Sequence, residues 1–296
     1  MTVGGHFLSR LVTMLVAVVA LVMVGAVPAV AESNSRTVQY VALGDSYAAG
    51  QGGVVSVEDY LDPICLESPN GYPYLVDAEE RIHLRTNVAC TGATTSDVIR
   101  EQLSALNRGT RLVTLTVGAA DLGLSQVLTA CTDPTPTTCQ TEILRALNEL
   151  SGLGASLTDL YSMVAAEAPN ALIVVTGYPY LFDQPFNPSD CPTPSTIPPP
   201  PPSSPEEIME LVNCATFALN STIYQAVLGA KRSGINIEYV DVTAAFSRHG
   251  IGSEDPYIND EGIGAYHPNA AGYVAYAKAI SAQLPSAWLD KKKQSA

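Results

Sequence analysis

Basic residues are scarce in this chain: 15 Lys and Arg stand against 29 Asp and Glu in 296 residues, for a formal net charge of −14. A surface so poor in cations cannot neutralise a phosphate backbone, which argues against nucleic acid as a partner and against electrostatic docking on anionic membranes. The sequence has no G-x-x-x-x-G-K-[ST] loop, no H-E-x-x-H pair and no G-x-G-x-x-G at a strand end. Phosphate-cradling, zinc-protease and dinucleotide signatures are therefore missing. The cysteines lack the clustered C-x-x-C form of a zinc site, and neither a metal nor an organic cofactor is expected. Beyond residue 31, no segment is long and apolar enough to span a bilayer.

One long apolar run does occur, at the start. His6 and Arg10 precede the uncharged stretch Leu11 to Val27, and Pro28-Ala29-Val30-Ala31 supplies small residues of the kind a signal peptidase reads. A positive start, an apolar middle and an Ala-x-Ala end predict a secretory signal peptide over residues 1–31, cleaved after Ala31. The remaining 265 of the 296 residues, 32–296, suffice for one domain with a full core. Loss of Arg10 takes the net charge from −14 to −15. A secreted, extracellular protein is expected, with retention at the cell envelope as a variant, no stable membrane insertion after cleavage, and a monomer as the default state.

All six cysteines lie after the leader: Cys65, Cys90, Cys131, Cys139, Cys191 and Cys214. An even count in an exported chain reads as disulfides, and six cysteines allow fifteen connectivities. The sequential set, Cys65–Cys90, Cys131–Cys139 and Cys191–Cys214, is expected because each closes a short loop between core elements.

Strand and helix signals alternate along the chain. Apolar, β-branched runs fall at Val38–Leu43, Arg111–Val117, Ala171–Gly177 and Ile235–Val240, with a weaker one at Thr86–Cys90. Amphipathic stretches at Ser96–Leu106, Thr141–Leu150, Ser156–Ala168, Pro205–Lys231 and Asn269–Gln283 predict helices between and after them. Near-continuous apolar strands are those of a parallel sheet covered on both faces. The expected architecture is a three-layer α/β/α sandwich with a mostly parallel central sheet. A proline-rich stretch over residues 191–205, with five consecutive prolines at Pro198–Pro202, cannot join a sheet and reads as a surface loop.

The first strand stops at Gly44 and delivers Ser46 into a turn of small residues, Tyr47-Ala48-Ala49-Gly50. Ligands of open α/β sheets bind at that carboxyl edge, which makes Ser46 the candidate nucleophile. Serine chemistry needs a base, and three histidines follow the leader: His83, His249 and His267. His83 sits in a charged stretch that reads as a solvated helix end, and His249 follows Arg248 in a surface turn. His267 immediately precedes Pro268, a residue favoured at the first position of a helix. The positive end of that helix disfavours imidazolium and would help hold a base neutral.

Gly44-Asp45-Ser46-Tyr47-Ala48-Ala49-Gly50 and His267-Pro268-Asn269-Ala270-Ala271-Gly272 resemble the first and last sequence blocks of the GDSL, or SGNH, hydrolase superfamily. Between them, Ala89-Cys90-Thr91-Gly92 resembles the second block, and Gly118-Ala119-Ala120-Asp121 stands in the place of the third, Gly-x-Asn-Asp. The cysteine layout and leader are similar to those of actinobacterial secreted esterases and lipases with three disulfides. The resemblance implies a flavodoxin-like sandwich and an esterase or lipase acting on small acyl esters, lipids or acetylated carbohydrates. It also implies Ser46 as nucleophile, His267 as base, and the backbone N–H groups of Ser46 and Gly92 as oxyanion donors.

Two positions depart from the pattern. Ala120 replaces the asparagine whose amide completes the oxyanion hole, a loss that typically costs about 10²–10³ in turnover. Gly264 stands three residues before His267, where many members carry an aspartate. The resemblance then implies a backbone carbonyl at Gly264 as the group that orients the imidazole, with Asp260 as the lesser candidate and Asp121 in a structural role. The alternative is a weak or inactive scaffold serving as a cell-envelope binding protein.

Overall fold

Strands form where the sequence runs almost unbroken in apolar, β-branched residues. The structure, a computed structural model, describes residues 37–79, 81–132, 136–191 and 202–289. The expected leader, most of the proline-rich stretch and the C-terminal Lys291-Lys292-Lys293 lie outside the described residues.

Strands β1 (Val38–Gly44), β3 (Leu112–Thr116) and β4 (Leu172–Thr176) are buried almost throughout, and β5 (Ile237–Val240) closes one edge. At the other edge, β2 (Ile82–Asn87) alternates buried and exposed positions. The weak run expected at Thr86–Cys90 thus belongs to a strand that begins at Ile82. His83 lies on this edge strand with its side chain exposed, not at a helix end.

The sheet has the order β2-β1-β3-β4-β5, and every pairing is parallel. This is the flavodoxin-like order, in which the chain reverses its direction of travel between β1 and β3. Residues following those two strands therefore face each other across a crevice at the carboxyl edge. Ser46 follows β1 and Ala120 follows β3, so topology alone brings the first and third blocks together.

Helices cover the sheet on both faces. The short α1 (Ser46–Ala49) and α2 (Tyr72–Asp77) precede β2, and a helical stretch that begins as α3 (Thr95–Asp97) runs to Ala105 before β3. Helix α4 (Leu124–Thr132) and α5 (Pro136–Glu167) join β3 to β4, α6 (Pro205–Arg232) joins β4 to β5, and α7 (Ala270–Ser281) ends the domain. Helix α5 packs against both α4 and α6, and α7 packs on α2. The two helices expected at Thr141–Leu150 and Ser156–Ala168 are one, since Gly152 and Gly154 fall inside α5 without breaking it. Gly154 sits where a side chain would touch Thr222 of α6, so small size there serves helix packing.

A line of buried hydroxyls crosses the sheet beneath α2 and α7. Tyr72 Oη meets Thr116 Oγ1 at 2.9 Å, Thr116 meets Thr176 at 2.6 Å, and Thr176 meets Tyr276 Oη at 2.9 Å. The Tyr72 and Tyr276 rings stack at 5.0 Å. Each hydroxyl of this line thus finds a partner, as burial requires.

Carboxamides hold the turns at the carboxyl edge. Gln102 pairs with both backbone groups of Gly44, accepting from its N–H at 2.8 Å and donating to its C=O at 2.9 Å. Asn220 does the same for Tyr178 at 2.8 Å in each direction, and Asn213 for Phe182 at 3.3 and 3.0 Å. The three disulfides are the sequential set, Cys65–Cys90, Cys131–Cys139 and Cys191–Cys214.

Candidate active site

Gly44 ends β1 with φ +133°, and a Cβ there would strike the Thr116 carbonyl at 2.1 Å. Only glycine allows this approach to β3. Asp45 follows, buried, as N-cap of α1, and its carboxylate accepts from the Tyr47 N–H at 3.0 Å. Tyr178 donates its hydroxyl to the other Asp45 oxygen and accepts from the Ala119 N–H at 3.2 Å. Burial pushes the Asp45 pKa up to about 7, against the opposing effect of these hydrogen bonds.

Ser46 opens α1, and its Oγ lies 2.8 Å from His267 Nε2. The two residues, 221 positions apart in sequence, are brought together by a loop that precedes α7. In that loop His267 Nδ1 lies 2.8 Å from the Ala265 carbonyl oxygen. Only a protonated Nδ1 can donate to a carbonyl, so Nε2 presents its lone pair to the serine hydroxyl. Burial pulls the His267 pKa from 6.5 down to about 4, only partly offset by the Ala265 carbonyl.

The orienting carbonyl is therefore that of Ala265 and not Gly264. The Gly264 oxygen accepts the backbone N–H of His267 at 3.0 Å instead. Gly264 has a different use: a side chain there would meet the Cα of Gly52 at 2.6 Å, so the histidine loop can close onto the turn after α1. Asp260 is exposed and makes no hydrogen bond or ion pair among the described residues. His249 stacks on Tyr257 at 3.7 Å between ring centres, away from Ser46 in its contacts.

Around the pair, Tyr47 donates to the Tyr266 carbonyl at 2.6 Å while its ring lies 5.0 Å from that of His267. Tyr266 takes a left-handed φ of 63°, and Asn259 braces the loop by donating to the His267 and Gly52 carbonyls at 3.1 and 3.2 Å. Gly92 follows the Cys65–Cys90 bridge, and its surroundings are open, with no atom within 4 Å of where a Cβ would stand. Neither the Ser46 nor the Gly92 N–H donates to another group of the protein among the described residues. Ala120 contributes no side-chain donor, while the Asp121 carboxylate beside it accepts from the Thr95 N–H at 3.0 Å and the Thr95 hydroxyl at 2.6 Å. An apolar pocket opens beside Tyr47, between Ala119, Leu122, Tyr178, Leu181 and Leu219.

The GDSL-like lipase/acylhydrolase family model matches residues 42–275, a range that holds every site residue just described. The chain belongs to this family. Lipase 1 of Streptomyces coelicolor is 31% identical over 255 residues, covering 84% of this chain and 88% of the relative. Among solved structures, phospholipase A1 of Streptomyces albidoflavus is 33% identical with a TM-score of 0.70, covering 84% of this chain and 100% of that one. The extracellular lipase of Streptomyces rimosus is 27% identical at the same TM-score of 0.70, again with 84% and 100% covered. As a family member, the chain is an ester-bond hydrolase of the esterase and lipase type.

Tyr178, Ala265 and the Gln102 carboxamide were not foreseen from sequence. Tyr178 had a readable signal in its place just past the end of β4, on the edge that carries the site. Among the described residues, no group of three or more His, Cys, Asp or Glu is placed to hold a metal ion.

Proposed function

We propose that this family member is a secreted serine ester hydrolase in which Ser46 is the nucleophile and His267 the base. The observation that carries the reading is the linked geometry of Ala265 C=O, His267 and Ser46, 2.8 Å at each step. His267 Nε2 takes the proton of Ser46 Oγ as the oxygen attacks the acyl carbon. The N–H groups of Ser46 and Gly92 receive the oxyanion. His267 returns the proton to the departing alcohol, which leaves an acyl-serine, and water then repeats the sequence to release the acid.

An imidazole held neutral by burial is already in its base form at neutral pH. A carbonyl in place of an aspartate fixes the tautomer without adding a full charge. The names lipase and phospholipase A1 borne by similar proteins favour acyl esters of lipids over other esters. Acetylated carbohydrates remain the second substrate class. The leader, together with an extracellular lipase among the similar proteins, supports secretion, with residues 32–296 as the mature, monomeric domain.

The rival reading, an inactive envelope-binding scaffold, draws on Ala120, on the missing aspartate and on the proline-rich stretch. The Ala265 carbonyl occupies the role that the aspartate would have filled, which leaves Ala120 alone as an argument for slow turnover. Replacing Ser46 by Ala tests the assignment. Hydrolysis of chromogenic acyl esters should vanish with thermal stability nearly unchanged; turnover retained in Ser46→Ala would refute it.

A further inference from the structure

The third block has lost its carboxamide, and a different carboxamide links two segments that flank the site. Gln51 follows the turn that ends α1, and its N–H donates to the Ser46 carbonyl at 3.0 Å. Its own carbonyl accepts the Tyr273 hydroxyl of α7 at 2.8 Å. With its backbone fixed at both groups, the side chain reaches two further segments. Gln51 Oε1 accepts the Thr91 hydroxyl at 2.7 Å, and Gln51 Nε2 donates to the Ile263 carbonyl at 2.7 Å.

Those two partners are neighbours of the groups that have to meet at Ser46. Thr91 immediately precedes Gly92, and Ile263 immediately precedes Gly264 in the loop that carries His267. Both segments are turns, without a strand or helix at the point of contact to fix their separation. The Cys65–Cys90 bridge anchors the first on its far side, and the close approach of Gly264 to Gly52 anchors the second. Gln51 alone, among the described residues, bonds through its side chain to both.

We infer that Gln51 is a positioning residue that sets the placement of the Gly92 amide relative to the Ser46–His267 pair. The inference rests on the proposed roles of Ser46, His267 and Gly92. An oxyanion hole reduced to backbone donors has little tolerance for displacement, because misplacement by about 1 Å can cost about 10²-fold in rate. Gln51 is only partly buried and its side-chain bonds lie near the surface, so it touches little of the hydrophobic core.

The test compares Gln51→Ala, Thr91→Val, Thr91→Ser and the Gln51→Ala/Thr91→Val double variant with wild type, using the oxidised protein and a chromogenic acetyl ester. Ser46→Ala supplies the background, and Tm is measured for each variant. Gln51→Ala should lower kcat by about tenfold or more, with KM within about twofold and Tm nearly unchanged. Thr91→Val should give a smaller loss, Thr91→Ser should restore it by keeping the hydroxyl, and the double variant should be no slower than Gln51→Ala. An unchanged kcat in Gln51→Ala, a kcat loss that tracks a loss of Tm, or additive losses in the double variant would overturn the inference while leaving Ser46 in place. Wild-type turnover no greater than that of Ser46→Ala would instead overturn the reading of the site, and this inference with it.

Discussion

Gly264 lies so close to Gly52 that a methyl group added to it would stand 2.6 Å from the Gly52 Cα and 3.1 Å from Asn259 Nδ2. This contact seats the histidine loop against the turn that follows Ser46. Backbone atoms cannot yield as a flexible side chain can. Gly264→Ala should therefore push His267 away from Ser46 and lower kcat by about 10²-fold. Kinetics together with the rate of Ser46 labelling by an organophosphonate would measure the displacement; unchanged labelling would show that the loop adapts.

The pH dependence should be that of a base with a depressed pKa. With His267 pulled down to about 4, the acid limb of kcat/KM should fall near pH 4 and not near 6.5. The same shift has a sign for stability. An unfolded chain with its histidine at about 6.5 binds the proton first, so stability due to the neutral ring is present above pH 6.5 and is lost as pH falls towards 4. The pH profile of kcat/KM, recorded beside urea midpoints over the same range, checks both; an acid limb near 6.5 would show that the ring is solvated.

Ala120→Asn should restore the missing donor. Removal of one oxyanion donor typically costs about 2.7–4 kcal/mol, so the reverse change should raise kcat by up to about 10²-fold if the asparagine amide reaches the hole. The Asp121–Thr95 hydrogen bonds hold the turn and should help the new side chain adopt its place. Steady-state kinetics on short acyl esters measure the gain, and no gain would mean that the hole is completed in another way.

Gln102→Leu should unlock the end of β1. It removes both hydrogen bonds to Gly44 and leaves its buried N–H without a partner, at about 1–3 kcal/mol, while the Gly44 carbonyl keeps the Cys90 N–H at 3.1 Å. Stability should fall by about 1–3 kcal/mol, and turnover should fall with it because Ser46 lies two residues on. Chemical denaturation provides the first quantity and active-site titration the second.

Much of this arrangement was legible because its signals are local or ordered. Val38–Gly44, Leu112–Thr116 and Leu172–Thr176 are apolar throughout, and burial on both faces of a parallel sheet demands that pattern. Strand β2 was blurred because an edge strand buries little more than Ile82 and Asn87. Gly152 and Gly154 read as a break although tertiary packing carries α5 through them. The blocks around Ser46 and His267 single them out, and the structure brings the two side chains within 2.8 Å. Ala265 was missed by one residue because a backbone carbonyl leaves no mark on the sequence. The work of Gln51 and Tyr178 depends on partners 40 to 212 residues away, a separation no local pattern encodes.

The pairing of Gln102, Asn220 and Asn213 with the peptide groups of Gly44, Tyr178 and Phe182 has a broader consequence. Each carboxamide stands in for a peptide unit, pairing with both backbone groups of one residue at the carboxyl edge of the sheet. The rim of the crevice is thereby fastened from the helices behind it and not by the residues that line it. Lining side chains such as Leu122, Leu181 and Ala120 are then free to change without unfastening the rim. A scaffold of this kind can exchange one ester for another by altering what faces the crevice, while three amides behind it stay where they are.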